Sequence, residues 1–259
     1  MFGRRLSDEV RALFSSSTGL SDKVFSRDQV KGLPAPVQRY LQYCLKEGQR
    51  YIAFARLKHG GSFRMGEGKK WLPIVGEEYF TTDPPGFIWR GRVKPFPVIW
   101  ITGRDRYYQG KGNMLIKLFS LVTVADSKGE EMDQSSLVRW VAEAPWFPTA
   151  LIGSRYLGWE PVDDSSAKVV ASYEGIGCSA VFRFNAQGQI TQLSTQDRFR
   201  DVDGRPVRTG WTGYYRQYRD WNGVKVPTEV EVVWNLPGGD FSYARFQVTE
   251  GDHNNPSKY

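Results

Sequence analysis

Residues 211–235 read Trp211-Thr212-Gly213-Tyr214-Tyr215-Arg216-Gln217-Tyr218-Arg219-Asp220-Trp221-Asn222-Gly223-Val224-Lys225-Val226-Pro227-Thr228-Glu229-Val230-Glu231-Val232-Val233-Trp234-Asn235. Asn222-Gly223 is the strongest short hairpin signal in the chain, because the favoured two-residue turn needs positive φ at both central positions. The flanks are rich in aromatic and β-branched residues, which suit pleated, half-buried surfaces. They predict strands over Val207–Arg219 and Val224–Asn235. In the second strand Glu229 and Glu231 alternate with Val230, Val232 and Trp234, as in a sheet with one polar and one apolar face.

The same grammar extends outward. Turns at Asn185-Ala186-Gln187-Gly188, Asp201-Val202-Asp203-Gly204 and Pro237-Gly238-Gly239 separate strands expected at Ala167–Glu174, Ser179–Phe184, Ile190–Arg200 and Phe241–Thr249. Upstream, Tyr51–Lys58 and Ser62–Met65 read as strands about a His59-Gly60-Gly61 turn. Glu77–Thr82, Phe87–Val93 and Val98–Thr102 follow, with a turn at Asp83-Pro84-Pro85-Gly86 whose prolines exclude a central strand. Gly110-Lys111-Gly112 marks a tight turn before the apolar run Met114–Ala125. Short links between consecutive strands imply antiparallel pairing, and a sheet of about ten strands tends to curl.

Three helical segments accompany the strands. Ser7 to Phe14 fits a short amphipathic helix capped by Ser7 and broken by Ser15–Thr18. Leu33-Pro34-Ala35-Pro36 enters a second, in which Val37, Tyr40, Leu41, Cys44 and Leu45 share a face, with Gly48 as its stop. Asp133 is the expected N-cap of a third, with a stripe at Leu137, Val138, Val141 and Ala142 and a stop at Pro145. The expected fold is mainly β within the α+β class: a strongly curved, half-barrel-like antiparallel sheet with an N-terminal helix and one inserted helix packed on it. Residues 1–30 form an N-terminal helical or flexible segment, 31–250 a single domain, and 251–259 a loose polar tail containing His253.

Composition narrows the function classes. Hydrophobic residues make up 40% and charged residues 24% of the 259 residues, so the chain can bury a core and is not disordered. The net charge of +7 is dispersed, with no block of five or six like charges, and reads as a solvated surface. Neither a concentrated basic stripe nor an RNP or helix-turn-helix pattern is present, which argues against a nucleic-acid partner. Cys44 and Cys178 lie far apart in apolar surroundings and read as packed thiols, in keeping with a reducing compartment. With no apolar core after Arg4 and Arg5, and no run of about 18 apolar residues for a transmembrane helix, the expected location is cytoplasmic. No metal or cofactor is called for. His59 and His253 are the two histidines, no nucleophile elbow or Walker motif occurs, and Gly110-Lys111-Gly112 is ordinary turn chemistry.

Two sets of residues can carry chemistry. Glu143 sits at a helix C-terminus, where the dipole disfavours a carboxylate, beside Trp146 and Phe147. That setting raises a carboxyl pKa and suits an acid or base; the alternative is that Glu143 simply accepts hydrogen bonds from backbone or Arg139. The second set is strand arginines among aromatics: Arg90 and Arg92 after Trp89, Arg198 and Arg200 about Phe199, Arg216 and Arg219 in the quoted stretch. A concave face of this composition holds an amphiphile, aromatics taking the apolar part and arginine an acidic head. The alternative is a solvated face with cation–π and cross-strand ion pairs. Glu229 and Glu231 read as solvent-facing, and Asp105, beside Arg104 and Arg106, as a turn or ion-pair residue.

Leu33-Pro34-Ala35-Pro36-Val37-Gln38-Arg39-Tyr40-Leu41 and Arg139-Trp140-Val141-Ala142-Glu143-Ala144-Pro145-Trp146-Phe147-Pro148-Thr149-Ala150-Leu151 resemble a bacterial family designated a domain of unknown function. Gly61-Ser62-Phe63-Arg64, Trp71-Leu72-Pro73, Pro85-Gly86-Phe87-Ile88-Trp89, Val226-Pro227 and Trp234 fall in a similar order, so the resemblance spans roughly residues 30 to 250. It implies no catalytic residues. Its implied curved sheet is similar to the half-barrels of bacterial lipoprotein carriers, a fold-level analogy. The favoured reading is a binder of an apolar or amphiphilic, lipid-like molecule, walled by Trp89, Trp140, Trp146, Phe147 and Trp211, with Arg139, Arg198 or Arg216 for an acidic group and Glu143 at the entrance. An enzyme using Glu143 as general acid or base, and a protein-interaction adaptor, are the alternatives.

Overall fold

The computed structural model describes residues 2–17, 22–96 and 98–259. Its first element is helix α1 (Phe2–Ser15), followed by α2 (Ala35–Cys44). Six strands come next: β1 (Phe54–Phe63), β2 (Leu72–Thr81), β3 (Gly86–Phe96), β4 (Ile99–Tyr108), β5 (Lys111–Leu118) and β6 (Val122–Ser127). Helix α3 (Glu130–Glu143) and two 3₁₀ turns lead to β7 (Leu157–Asp163), β8 (Ser166–Tyr173), β9 (Ile176–Phe184), β10 (Ile190–Val202), β11 (Arg205–Trp221), β12 (Val224–Leu236) and β13 (Gly239–His253).

All these strands belong to one antiparallel sheet. Its order, β6-β5-β4-β3-β2-β1-β13-β12-β11-β10-β9-β8-β7, is two meanders joined where β1 pairs with β13. Register shifts at Lys58/His59, Thr195/Arg198 and Val232/Val233 are bulges, each adding bend and twist. The sheet curls into the expected half-barrel. The chain passes from edge β6 to edge β7 through α3, which lies across the hollow against β5, β9 and β10. Helix α2 fills one end of that hollow with Val37, Tyr40, Leu41 and Cys44. Helix α1 packs Leu6, Val10, Leu13 and Phe14 on the opposite sheet face, over Tyr79 and Ile88. No helix among the described residues is long and apolar enough to cross a membrane.

Several local expectations are corrected. His59-Gly60-Gly61 is not a turn: β1 runs through it, and His59 is buried. Gly61 has φ 137°, and a Cβ there would overlap the Arg245 carbonyl oxygen of the neighbouring strand, so Gly61 marks a close strand approach. Asp133 is not the N-cap. Helix α3 starts three residues earlier, after Gly129, and the buried Asp133 carboxylate accepts from the Gly112 N–H (2.7 Å) and Lys111 Nζ (2.9 Å). Asp105 lies mid-strand in β4, beyond the expected end at Thr102. The apolar run after Gly112 is two strands, β5 and β6, and β7 was not foreseen. The first helix runs further at its N-terminal end than Ser7 and stops at Ser15; of the expected break, Thr18 lies outside the described residues, as do 1 and 18–21 of the N-terminal segment. Cys44 and Cys178 are buried free thiols.

The C-terminal tail is not loose. Strand β13 continues to His253, whose Nε2–H donates to the Trp146 carbonyl at 2.9 Å. Asn254 Oδ1 accepts from the Ala53 N–H (2.8 Å) while its Nδ2 donates to the Tyr51 carbonyl (3.0 Å). The Tyr259 ring lies under Arg56 and Lys58 at 4.3 and 4.2 Å. One side chain thus satisfies two backbone groups just ahead of β1, and a buried polar group left unpaired costs about 1–3 kcal/mol. Asn254→Ala is expected to lower unfolding stability by that amount in urea titrations; an unchanged midpoint would show that the tail carries none of it.

Candidate functional site

Cross-strand register builds the floor of the hollow. Leu57, Glu78, Trp89, Asp105 and Met114 are successive partners across β1 to β5, so they share one face. The next row on that face is His59, Gly76, Gly91, Gly103 and Ile116. Its glycines leave room for rings to lie flat. A Cβ on Gly76 would overlap the His59 imidazole, one on Gly91 would overlap the Trp89 indole, and one on Gly103 would come within 3.1 Å of it. The two rings are parallel within 6°, and Trp89 Nε1 donates to His59 Nε2 at 2.9 Å. His59 Nε2 is therefore the unprotonated nitrogen, and burial lowers its pKa to about 4.

Above this floor stands Arg139 of α3. Its Nε meets Glu143 Oε1 at 2.7 Å, one terminal nitrogen meets Asp105 Oδ2 at 2.7 Å and the other meets Glu78 Oε1 at 2.6 Å. The guanidinium also lies 4.8 Å from the Phe87 ring and 5.3 Å from that of Trp89. One cation thus faces three buried carboxyls. Burial pushes the Glu78 carboxyl well above its ordinary range, with Glu143 and Asp105 adding to the rise. Burial also raises Glu143, against the pull of Arg139. Of the three carboxyls, Glu78 is the one whose affinity for a proton burial raises most. The i, i+4 pair Arg139–Glu143 was open to sequence reasoning; Glu78 and Asp105 reach it only through strand register.

Between this cluster and the β10–β13 half lies a cavity of about 240 Å³. Its inner wall is Trp146, Tyr215, Val230, Val232 and Ala244, its outer wall Phe63, Trp234, Tyr243 and Phe246. Trp146 Nε1 donates to the Pro227 carbonyl (2.9 Å), Tyr215 Oη to the Ala142 carbonyl (2.7 Å) and Trp211 Nε1 to Tyr243 Oη (2.9 Å). The wall's polar edges are thereby occupied, and the surface offered to the cavity is mostly hydrocarbon. Besides the mutually paired Asp105, Arg139 and Glu143, the charged group facing the cavity is Arg198. Its guanidinium rests 4.7 Å from the Trp211 ring and 5.7 Å from that of Trp234, and it forms no ion pair or hydrogen bond among the described residues.

Of the sequence candidates, Trp89, Arg139, Glu143, Trp146, Arg198 and Trp211 come together around this cavity. Trp140 and Phe147 are fully buried behind it, with Trp140 Nε1 donating to the Thr81 carbonyl. Arg216 does not reach it; it is exposed and pairs with Glu231. The glycine row, His59 and Tyr215 were not foreseen as site residues. No group of three or more His, Cys, Asp or Glu side chains among the described residues is arranged to hold a metal ion.

The model of a family described as "Family of unknown function (DUF6544)" matches residues 23–246. The comparison with curated proteins found no match. Among solved structures, a putative outer membrane lipoprotein-sorting protein domain from Vibrio parahaemolyticus is similar at 8% identity and a TM-score of 0.42, over 78% of this chain and 86% of that one. A LolA superfamily protein from Nitrosomonas europaea is similar at 8% identity and 0.39, over 86% and 95%. A DUF1329 family protein from Desulfovibrio piger is similar at 13% identity and 0.36, over 96% and 93%.

The raised proton affinity of Glu78 has a consequence for stability. Its pKa in the folded chain lies above the ordinary 4.5, so the folded state binds the proton more tightly than the unfolded one. The stabilisation this gives is complete below pH 4.5 and is lost as pH rises towards the folded-state pKa. A tenfold difference in proton affinity is worth about 1.4 kcal/mol. Melting curves taken from about pH 5 to about pH 9, a span that begins above the ordinary carboxyl range, should show Glu78→Gln flattening the decline seen in the parent. Parallel profiles would place the proton elsewhere.

Proposed function

The chain belongs to the DUF6544 family, and we propose that it binds a compact amphiphile, with the apolar body in the half-barrel cavity and an acidic group on Arg198. The observation that carries this reading is the state of Arg198. The other cavity arginine, Arg139, is saturated by three carboxyls, whereas Arg198 sits on two indoles with its charge unmatched. A guanidinium so held is oriented in advance and weakly hydrated, which favours pairing with carboxylate, sulfonate or phosphate. The cavity volume of about 240 Å³ falls just under the range of about 300–1,000 Å³ for small-molecule sites. It suits a small ring system, or one end of a longer chain whose remainder lies along Phe63, Trp234 and Tyr243.

An acid–base role for Glu143 has one observation in its favour: it lines the cavity beside a carboxyl of raised proton affinity. Against it, Glu143 Oε1 is committed to Arg139 and Oε2 is fully buried. A general base needs a lone pair within hydrogen-bond reach of its substrate, so binding is the better-supported use of the site.

The test pairs an acidic probe with a neutral one. Titration of 1-anilinonaphthalene-8-sulfonate and N-phenyl-1-naphthylamine, followed by dye fluorescence, reads the two halves of the site. Arg198→Ala is expected to weaken the sulfonate about tenfold, a charge-assisted hydrogen bond being worth about 1.5–3 kcal/mol, and to leave the neutral dye nearly unchanged. Equal affinity of parent and variant for the sulfonate would remove Arg198 from the site. Absence of binding by either dye would remove the cavity.

A further inference from the structure

At the open end of the half-barrel, two neighbouring hairpins carry large apolar side chains into solvent. The β3–β4 hairpin presents Phe96 and Val98, which are 63% and 76% exposed. The β5–β6 hairpin presents Leu121, Val122 and Val124, at 75%, 60% and 64%. The hairpins are adjacent, since β4 pairs with β5 (Ile101 with Leu118) and the Phe119 N–H donates to the Trp100 carbonyl. At their base the Trp100 ring stands edge-on to Phe119 at 5.1 Å, with its Nε1 towards Ser120 Oγ. A cluster of this kind on projecting tips is not scattered surface hydrophobicity; contiguous exposed apolar patches mark protein or membrane contacts.

Charge distinguishes between the occupants. Arg92 and Lys117 flank Thr102 in one cross-strand row below the tips. Lys94 lies two residues before Phe96, and Lys69 and Lys70 occupy the β1–β2 turn at the same end. None of these five cations has an ion pair among the described residues, and the one carboxylate of that turn, Glu67, is taken by Arg200. We infer that these hairpin tips dock on an anionic lipid surface, with Phe96, Val98, Leu121 and Val122 entering the headgroup–acyl boundary and the lysines and Arg92 meeting lipid phosphates. Apolar tips ringed by unpaired cations match the two layers of such a surface, and an indole at the boundary suits its interfacial zone. A nucleic acid would satisfy the cations and leave the tips in water. The partly exposed mouth residues Phe63, Trp234 and Tyr243 face the same end, next to the β1–β2 and β12–β13 turns. A docked molecule would therefore turn its cavity mouth towards the lipid, although docking does not depend on what the cavity holds.

Co-sedimentation of the full chain with phosphatidylcholine vesicles, and with vesicles that also contain phosphatidylglycerol, tests this. Binding is expected to the anionic vesicles only and to be released by salt. The double variant Val98→Asp, Leu121→Asp is expected to bind about tenfold more weakly, as apolar burial is replaced by a charge in the boundary. Both side chains are exposed, so the melting curve should be unchanged. If the aspartates disturb the hairpins, Lys94→Gln with Lys117→Gln reads the electrostatic half and is expected to weaken binding several-fold. The proposal is overturned if neither vesicle is bound, or if both variant pairs bind as the parent does. It is equally overturned if the parent self-associates through these tips, the double aspartate variant stays monomeric, and lipid is ignored.

Discussion

Arg139 is the one cation in a region where three carboxyls leave water, and the arrangement of the hollow depends on it. Two of those carboxyls come from strands of the first meander and one from the helix that bears the arginine. The guanidinium therefore fixes α3 against the sheet in both rotation and height. Burying an ion is costly unless geometry and hydrogen bonding are nearly complete, and removing one partner of such a set typically destabilises by about 3–5 kcal/mol. All three nitrogens of Arg139 are engaged, each donating to a different carboxyl. A lysine at this place has the charge without the planar fork. The cavity exists because α3 is held off the glycine row by this cluster and off the far wall by Tyr215, which bonds the Ala142 carbonyl.

The two arginines facing the cavity divide structural and binding roles through what lies next to them. Arg139 is neutralised within the fold by its three carboxyl partners, and the raised proton affinity of Glu78 eases the crowding of negative charge beside α3. Arg198 has aromatic faces in place of carboxylates, which attract a cation weakly and leave its hydrogen-bond donors available. The walls behave similarly. The polar atoms of Trp146, Trp211 and Tyr215 are spent on partners within the wall, so aromatic residues with polar edges present an apolar lining. This is how a chain rich in tryptophan and tyrosine can form an apolar cavity without stranding donors in it.

Much of this was legible in the residues. Asn222-Gly223, Asp203-Gly204 and the alternation around Val230 identify hairpins by local chemistry, and the structure has them where they were expected. Segments whose meaning depends on distant partners were misread. His59-Gly60-Gly61 has the composition of a turn, but Gly61 answers to Arg245 on β13. Asp133 looks like a cap, yet its carboxylate is drawn to the β4–β5 hairpin at Lys111 and Gly112. The tail from Gly251 is polar because Asn254 and His253 bond backbone groups of other segments, not because it is solvated. The same division applies to the site. Glu143 and Arg139 announce themselves by helical spacing, whereas Glu78, Asp105 and the row Gly76, Gly91 and Gly103 become neighbours only when five strands adopt a single register.

The seam between β1 and β13 bears on how the molecule comes into being. Each meander is made of sequence-adjacent hairpins and has local contacts to guide it, but the strand that joins them is the last of the second meander. Ala55 pairs with His253, so both meanders must be made before the first strand gains its second neighbour. Closure over so long a loop is the slow part of building a sheet. Until it happens β1 is an open edge bearing the glycine pair, a poor template for pairing with strangers. The cavity therefore forms after both meanders, and as a single event: β13 arrives, the two halves become one sheet, and the floor and far wall face each other for the first time.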